Sequence, residues 1–222
     1  MLPVMLQRWH EISFLHWSCD PVLLKPRVHH GLRVDTFEGK GWITLTPFIL
    51  SALRPPFLPR RLGLTFPETN LRTYVTGPDG PGIWFFSLDA ARLAAVVGAR
   101  CTYGLPYYWS EMRVETGETG NGYFSNRGGK ATAQIHVVKE ARIIEQSPLD
   151  VFLTARFRLY SVLRRRLIAA EVTHPPWDLN RARVVELNET VRQAMGVRFQ
   201  SSDFLAHHSH GVDAKIGRPR RI

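Results

Sequence analysis

The sequence predicts an α+β fold dominated by antiparallel strands, with a few short helices carried on a single domain spanning residues 1–222. Three observations carry that expectation. Runs rich in aromatic and β-branched residues recur along the chain, turn signals of Gly, Pro and Asp separate them, and few stretches place apolar residues at helical spacing. Apolar residues make up 44% and charged residues 22% of the chain, the composition of a globular protein able to bury a core. With no internal repeat and no low-complexity linker, the strand count points to a barrel or sandwich.

The bulky run EISFLHW at 11–17 reads as the first strand. Asp20 then resembles a helix N-cap, followed by Pro21 at the first helical position and Pro26 near the end. Strands over 31–36 and 42–50 flank the tight turn EGKG at 38–41 and predict a hairpin. The Pro-rich stretch 55–67 is too irregular for a central strand and reads as an ordered surface loop, a candidate lid.

Residues 68–76 and 83–88 bracket GPDGPG and form a second predicted hairpin. Asp89 is then read as the N-cap of an Ala-rich helix, DAARLAAVVGARC. Strands follow over 107–115, 121–125 and 131–139, a short helix over 148–156, and strands over 157–163 and 167–173. In 181–195, Val184, Leu187, Val191 and Met195 recur every three or four residues, which predicts a helix stopped by Gly196. FLAHHSHGVDAKI closes the chain as a strand.

Composition also limits function. Cys19 and Cys101 are too few for a disulfide framework or a zinc cluster and read as buried thiols in a reducing compartment. Arg8, His10 and Glu11 interrupt the apolar N-terminus before a signal-peptide core forms, and no run reaches the length of a membrane span, so a cytoplasmic protein is expected. The net charge of +10 is spread along the chain apart from Arg60-Arg61, Arg164-Arg165-Arg166 and Arg218-Pro219-Arg220-Arg221. No nucleic-acid motif accompanies these clusters, which disfavours a nucleic-acid partner.

Alternation along 68–75 puts Glu68, Asn70, Arg72 and Tyr74 on one strand face. Facing solvent, that row is an ordinary surface; facing an interior, it can orient a small polar ligand. His208 and His210 also share a strand face, but two imidazoles lack a third ligand nearby in sequence, so no metal is expected. His174 reads equally well as a packed strand-end residue. No nucleophile elbow, phosphate loop or dinucleotide fingerprint occurs.

Several stretches together, RWHEISFLHWSCDP, FPETNLRTYV, WFFSLDA, YGLPYYW, FLTARFRLY, EVTHPPW and HHSHGVD, resemble the YqjF-like family of bacterial proteins. The resemblance runs through nearly the whole chain and implies a fold similar to acetoacetate decarboxylase, a cone-shaped β-barrel with a central cavity and a few peripheral helices. In the decarboxylases the site is built from an N-terminal Arg, a Glu before a strand and an adjacent Lys pair. The positions that match here are Arg8, Glu68 and, in place of the lysines, Tyr107 and Tyr108.

A phenol cannot form an imine, so the Schiff-base mechanism is not expected at this position. Lys25, Lys40, Lys130, Lys139 and Lys215 sit mostly in turns or termini. The expectation is therefore a pocket of Arg8, Glu68, Asn70, Arg72 and one of Tyr107 and Tyr108, Tyr107 being favoured. That pocket would bind a small organic anion, with no cofactor. Lyase or isomerase chemistry using Glu68 and a Tyr is the alternative, nucleic-acid binding a second one, and a homo-oligomer remains open.

Overall fold

The structure, a computed structural model, describes residues 2–197 and 203–222. In chain order the strands are β1 (Pro3–Cys19), β2 (Arg33–Val34), β3 (Gly41–Arg54), β4 (Leu64–Gly77), β5 (Gly80–Ala90), β6 (Tyr107–Trp109), β7 (Glu111–Thr116), β8 (Gly120–Asn126), β9 (Thr132–Arg142), β10 (Arg158–Leu163), β11 (Arg166–Thr173), β12 (Asn180–Glu189), β13 (Leu205–Gly217) and β14 (Arg220–Arg221). The helices are α1 (Pro21–Leu24), α2 (Leu93–Tyr103), α3 (Pro148–Thr154) and α4 (Val191–Ala194).

The strands form one sheet in the order β14-β11-β10-β5-β4-β3-β1-β13-β12-β9-β8-β7. Its pairings are antiparallel except where β5 meets β6 and β10. Because β11 also pairs with β13, the ladder returns on itself through β11, β10, β5, β4, β3, β1 and β13, while β12, β9, β8 and β7 extend from it as a wing. Among the described residues, no helix is long and apolar enough to cross a membrane.

Both faces of the central strands are buried, and each packs a different core. Along β1, Phe14 joins a cluster with Phe48, Leu88 and Trp177, whereas Leu15 and Trp17 join Leu45, Leu71 and Ile135 beneath the wing. The same alternation on β4 sends Leu71 to the wing side and leaves the row from Glu68 to Arg72 on the other.

Five expected elements take another form. The segment 181–195 is β12 followed by the single turn of α4. Ala182, Val184 and Leu187 all pack on the wing core, but a bulge between Val184 and Glu186 shifts the pleat by one residue. That shift creates a three-residue apolar step that imitates helical spacing. Asp89 does not cap a helix: it is a fully buried residue of β5, opposite Thr69 of β4, and α2 begins after Arg92.

The turn at 38–41 is present, with Glu38 at φ 50 and Gly39 at φ 75 joining a bridge between Phe37 and Lys40. The strand before it is only β2, and it pairs with β4 rather than with β3. Of the Pro-rich stretch, Leu64–Pro67 already belongs to β4, where Pro67 lies opposite Ile49. The expected strand over 107–115 is broken at Ser110 into β6 and β7, which pair with different partners.

α2 ends on Gly104, at φ 61, whose N–H donates to the Arg100 carbonyl. A Cβ there would stand 2.1 Å from the Val162 carbonyl oxygen. Gly104→Ala is accordingly expected to lower the unfolding free energy by more than about 1 kcal/mol in urea titration. Gly98→Ala in the same helix, where a Cβ meets nothing within 4 Å, should raise it by about 0.5–1 kcal/mol. Equal effects at the two sites would contradict this packing.

Candidate functional site

A cavity of about 520 Å³ opens on the inner face of the strand circuit. Its walls are largely apolar, with Trp9, Ile12, Phe48, Phe66, Leu88 and Trp177 among them. Leu58 and Leu62 of the Pro-rich segment border it, as do the small residues Ala94, Ala95, Gly98 and Ala99 of α2. Small side chains on one helix face let that helix lie close over the cavity while leaving room below it.

Its polar groups come from several segments, Gln7 of β1 and Thr46 and Arg54 of β3 among them. β4 supplies Glu68, Asn70 and Arg72 at every second position, and β6 supplies Tyr107. Thr154, Arg156 and Arg158 follow from α3 and the start of β10, and His174 stands just after β11. Glu68 is 3% exposed and accepts a hydrogen bond of 2.8 Å from the Tyr107 hydroxyl. Burial pushes the Glu68 carboxyl up to about 8, more than its hydrogen bonds from Tyr107 and Asn70 pull it down, and nearby Asp89 adds to the rise. At neutral pH Glu68 is therefore mostly a carboxylic acid. Tyr107 is pushed far above an ordinary phenol by burial and by Glu68, so it stays a donor.

Arg72 is 9% exposed, sits 5.4 Å over the Phe14 ring and leaves Nε without a hydrogen-bond partner. Burial lowers its pKa, Tyr74 favours its charge, and Arg156 opposes it. Arg156 is different: its Nη1 pairs with Asp35 at 2.7 Å. His174, packed between Trp9, Phe157 and Trp177, is held below the usual imidazole range chiefly by burial, with Arg72 contributing. Thr46 Oγ1 and Asn70 Oδ1 also border the cavity without a partner. Such buried orphan groups are uncommon and mark places where a ligand or water completes the bonding.

Of the residues singled out in the sequence, Glu68, Asn70, Arg72 and Tyr107 meet at the cavity. Arg8 and Tyr108 do not line it. Gln7 and Trp9 face the cavity, so the alternation of β1 turns Arg8 outward, where it is 42% exposed and 3.8 Å from Asp213. The same alternation turns Tyr108 away from the cavity, and Arg127 stacks on it with Cζ 3.7 Å from the ring centroid. Arg156 and Arg158 were not singled out, although their i, i+2 spacing around exposed Phe157 in FLTARFRLY carries the signal of a shared face. Among the described residues no lysine borders the cavity, and its wall holds no trio of metal-ligating side chains.

This fold is shared with acetoacetate decarboxylase-like proteins. An acetoacetate decarboxylase-like enzyme from Sphingomonas wittichii RW1 superposes with a TM-score of 0.71 at 12% identity, covering 100% of this chain and 94% of that one. The enduracididine biosynthesis enzyme MppR complexed with pyruvate gives 0.69 at 12% identity, covering 100% and 91%. Acetoacetate decarboxylase from Legionella pneumophila gives 0.68 at 13%, covering 100% and 90%. At such identities the likeness speaks to the fold.

By sequence, the chain belongs to the DUF2071 family of uncharacterised conserved proteins, whose profile matches residues 6–213. It is 38% identical over 215 residues to the uncharacterised protein YqjF of Bacillus subtilis (strain 168), covering 95% of this chain and 89% of the relative.

Proposed function

We propose that this protein binds a small organic anion in the cavity, its negative group on Arg72 and its polar end toward Glu68 and Tyr107. One observation carries this reading: Arg72 is a buried cation lining the cavity, and no carboxylate among the described residues neutralises it. An unpaired buried charge costs several kcal/mol, which an anionic occupant offsets. Glu68 and Arg72 lie four residues apart, about 13 Å along a strand, so an elongated anion reaches both. The circuit of paired strands, taken as a cone-shaped barrel, encloses such a ligand from the side.

The pyruvate complex of MppR supports the choice of 2-oxo acids as probes. With no lysine at the cavity wall among the described residues, binding proceeds without an imine, and borohydride added with an oxo acid should leave the protein mass unchanged. Pyruvate and longer 2-oxo acids should raise the melting temperature of the wild type. Arg72→Met should weaken that binding at least about 30-fold, the loss typical of removing one partner of a buried charge pair. The same variant should make the ligand-free protein more stable, because the uncompensated charge is gone. Unchanged affinity for every anion that binds the wild type would remove Arg72 from the reading.

A second reading is favoured by the Glu68–Tyr107 pair. A carboxyl shifted to about 8 beside a phenol 2.8 Å away can exchange a proton with an enolisable ligand, the requirement for lyase or isomerase chemistry. Turnover lost in Glu68→Gln while anion binding persists would select it.

A further inference from the structure

On the other face of β1, away from the cavity, a second polar cluster forms against β13. His10 pairs with Gly211, Ile12 with Ser209 and Ser13 with His208, so Glu11 falls opposite His210 and the four side chains Glu11, Ser13, His208 and His210 share a face. The Glu11 carboxylate lies 3.6 Å from His208 Nε2 and 3.3 Å from His210 Nδ1. The ligating atoms of Glu11, His208 and His210 all fall within 4.8 Å of one another. Glu11 itself holds φ 46, a conformation rare for a residue with a side chain.

The proton positions follow from the hydrogen bonds. Tyr123 has one hydroxyl proton and donates it to the Glu11 carbonyl at 2.7 Å. Ser13 Oγ, 2.9 Å from that hydroxyl, must therefore donate to it, and can only accept from His208 Nδ1 at 3.2 Å. His208 thus carries its proton on Nδ1. In the neutral ring Nε2 is then the lone pair, on a side chain 1% exposed and with no hydrogen-bond partner.

The His208 Nε2 lone pair and a Glu11 carboxylate oxygen thus stand 3.6 Å apart, and a cation between them would use both. Two ligand atoms bound tetrahedrally to zinc at its usual bond lengths stand about 3.3 Å apart.

We propose that Glu11, His208 and His210 form a binding site for a divalent transition-metal ion of the zinc type. Imidazole and carboxylate ligands suit that class, and three of them leave at least one position open. The opening lies on the His210 side, where that ring is 71% exposed. The Lys139 ammonium, 3.2 Å from Glu11 Oε2, competes for the carboxylate and must swing away. The third ligand escaped sequence reasoning because it stands 199 residues from His210 in the chain.

The test is calorimetric titration of the full chain with Zn²⁺, and with Co²⁺ read by its visible absorption. One ion per chain is expected. His210→Ala and Glu11→Gln should each weaken binding at least about 10-fold, the lower range of losses at metal sites, and Lys139→Gln should tighten it. His210→Ala replaces an exposed ring, so its metal-free melting should match the wild type. No binding to the wild type, affinity unchanged in His210→Ala, or binding that needs Lys139 removed would each overturn the site.

Discussion

Arg127→Met should lower the unfolding free energy by about 3–5 kcal/mol, the cost of stranding one member of a buried ion pair. Asp89 is fully buried, and Arg127 just beyond β8 reaches its Oδ1 with Nε at 2.7 Å and Nη2 at 2.6 Å. Burial raises the Asp89 pKa more than Arg127 lowers it, so in the variant the carboxyl will take up a proton readily. The loss should therefore shrink as pH falls. Arg127→Met combined with Asp89→Asn should recover much of the stability, since no charge is then left alone. Urea unfolding of the four proteins forms a double-mutant cycle. A single-variant loss below about 1 kcal/mol would mean that water, not Arg127, balances Asp89.

The second large effect is a pH dependence centred on Glu68. Its carboxyl moves from 4.5 when unfolded to about 8 when folded. Below 4.5 both states hold the proton and no penalty arises. Between 4.5 and about 8 the unfolded chain has released a proton that the native chain still binds, so stability falls as pH rises. Above that window the loss is complete. Each pKa unit corresponds to about 1.4 kcal/mol, so the total is on the order of 3–5 kcal/mol. Glu68→Gln should remove this slope and exceed the wild type in stability at pH 8. Denaturation of both proteins at several pH values isolates the effect from other groups, and parallel curves would show that Glu68 is ionised in the fold.

The legible part of the site was the part governed by a single regular strand. Glu68, Asn70 and Arg72 alternate on β4, and the alternation holds across all three despite a register shift in the pairing with β5 after Leu71. Arg8 was misplaced because its distance along the chain says nothing about which face of β1 it takes, and one residue of phase reverses it. Asp89 followed a rule true of helix starts, but a partner 38 residues away draws it into the interior. The false helix at 181–195 is also an error of phase: a bulge shifts the pleat, and the apolar spacing alone does not reveal it. Strand locations were thus readable from local composition, while pairing partners such as β2 with β4 depend on long-range contacts that no local window contains.

The end of the sheet at β7 bears on how copies of the chain can meet. Its backbone is the last rung in the pairing order, the usual starting point for edge-to-edge growth into fibrils. Glu111, Arg113 and Glu115 stand exposed along it, and Arg113 pairs with Glu115 at 3.0 Å. An incoming strand would have to strip water from these charges without replacing them. Intermolecular β-augmentation is thereby disfavoured at this rim.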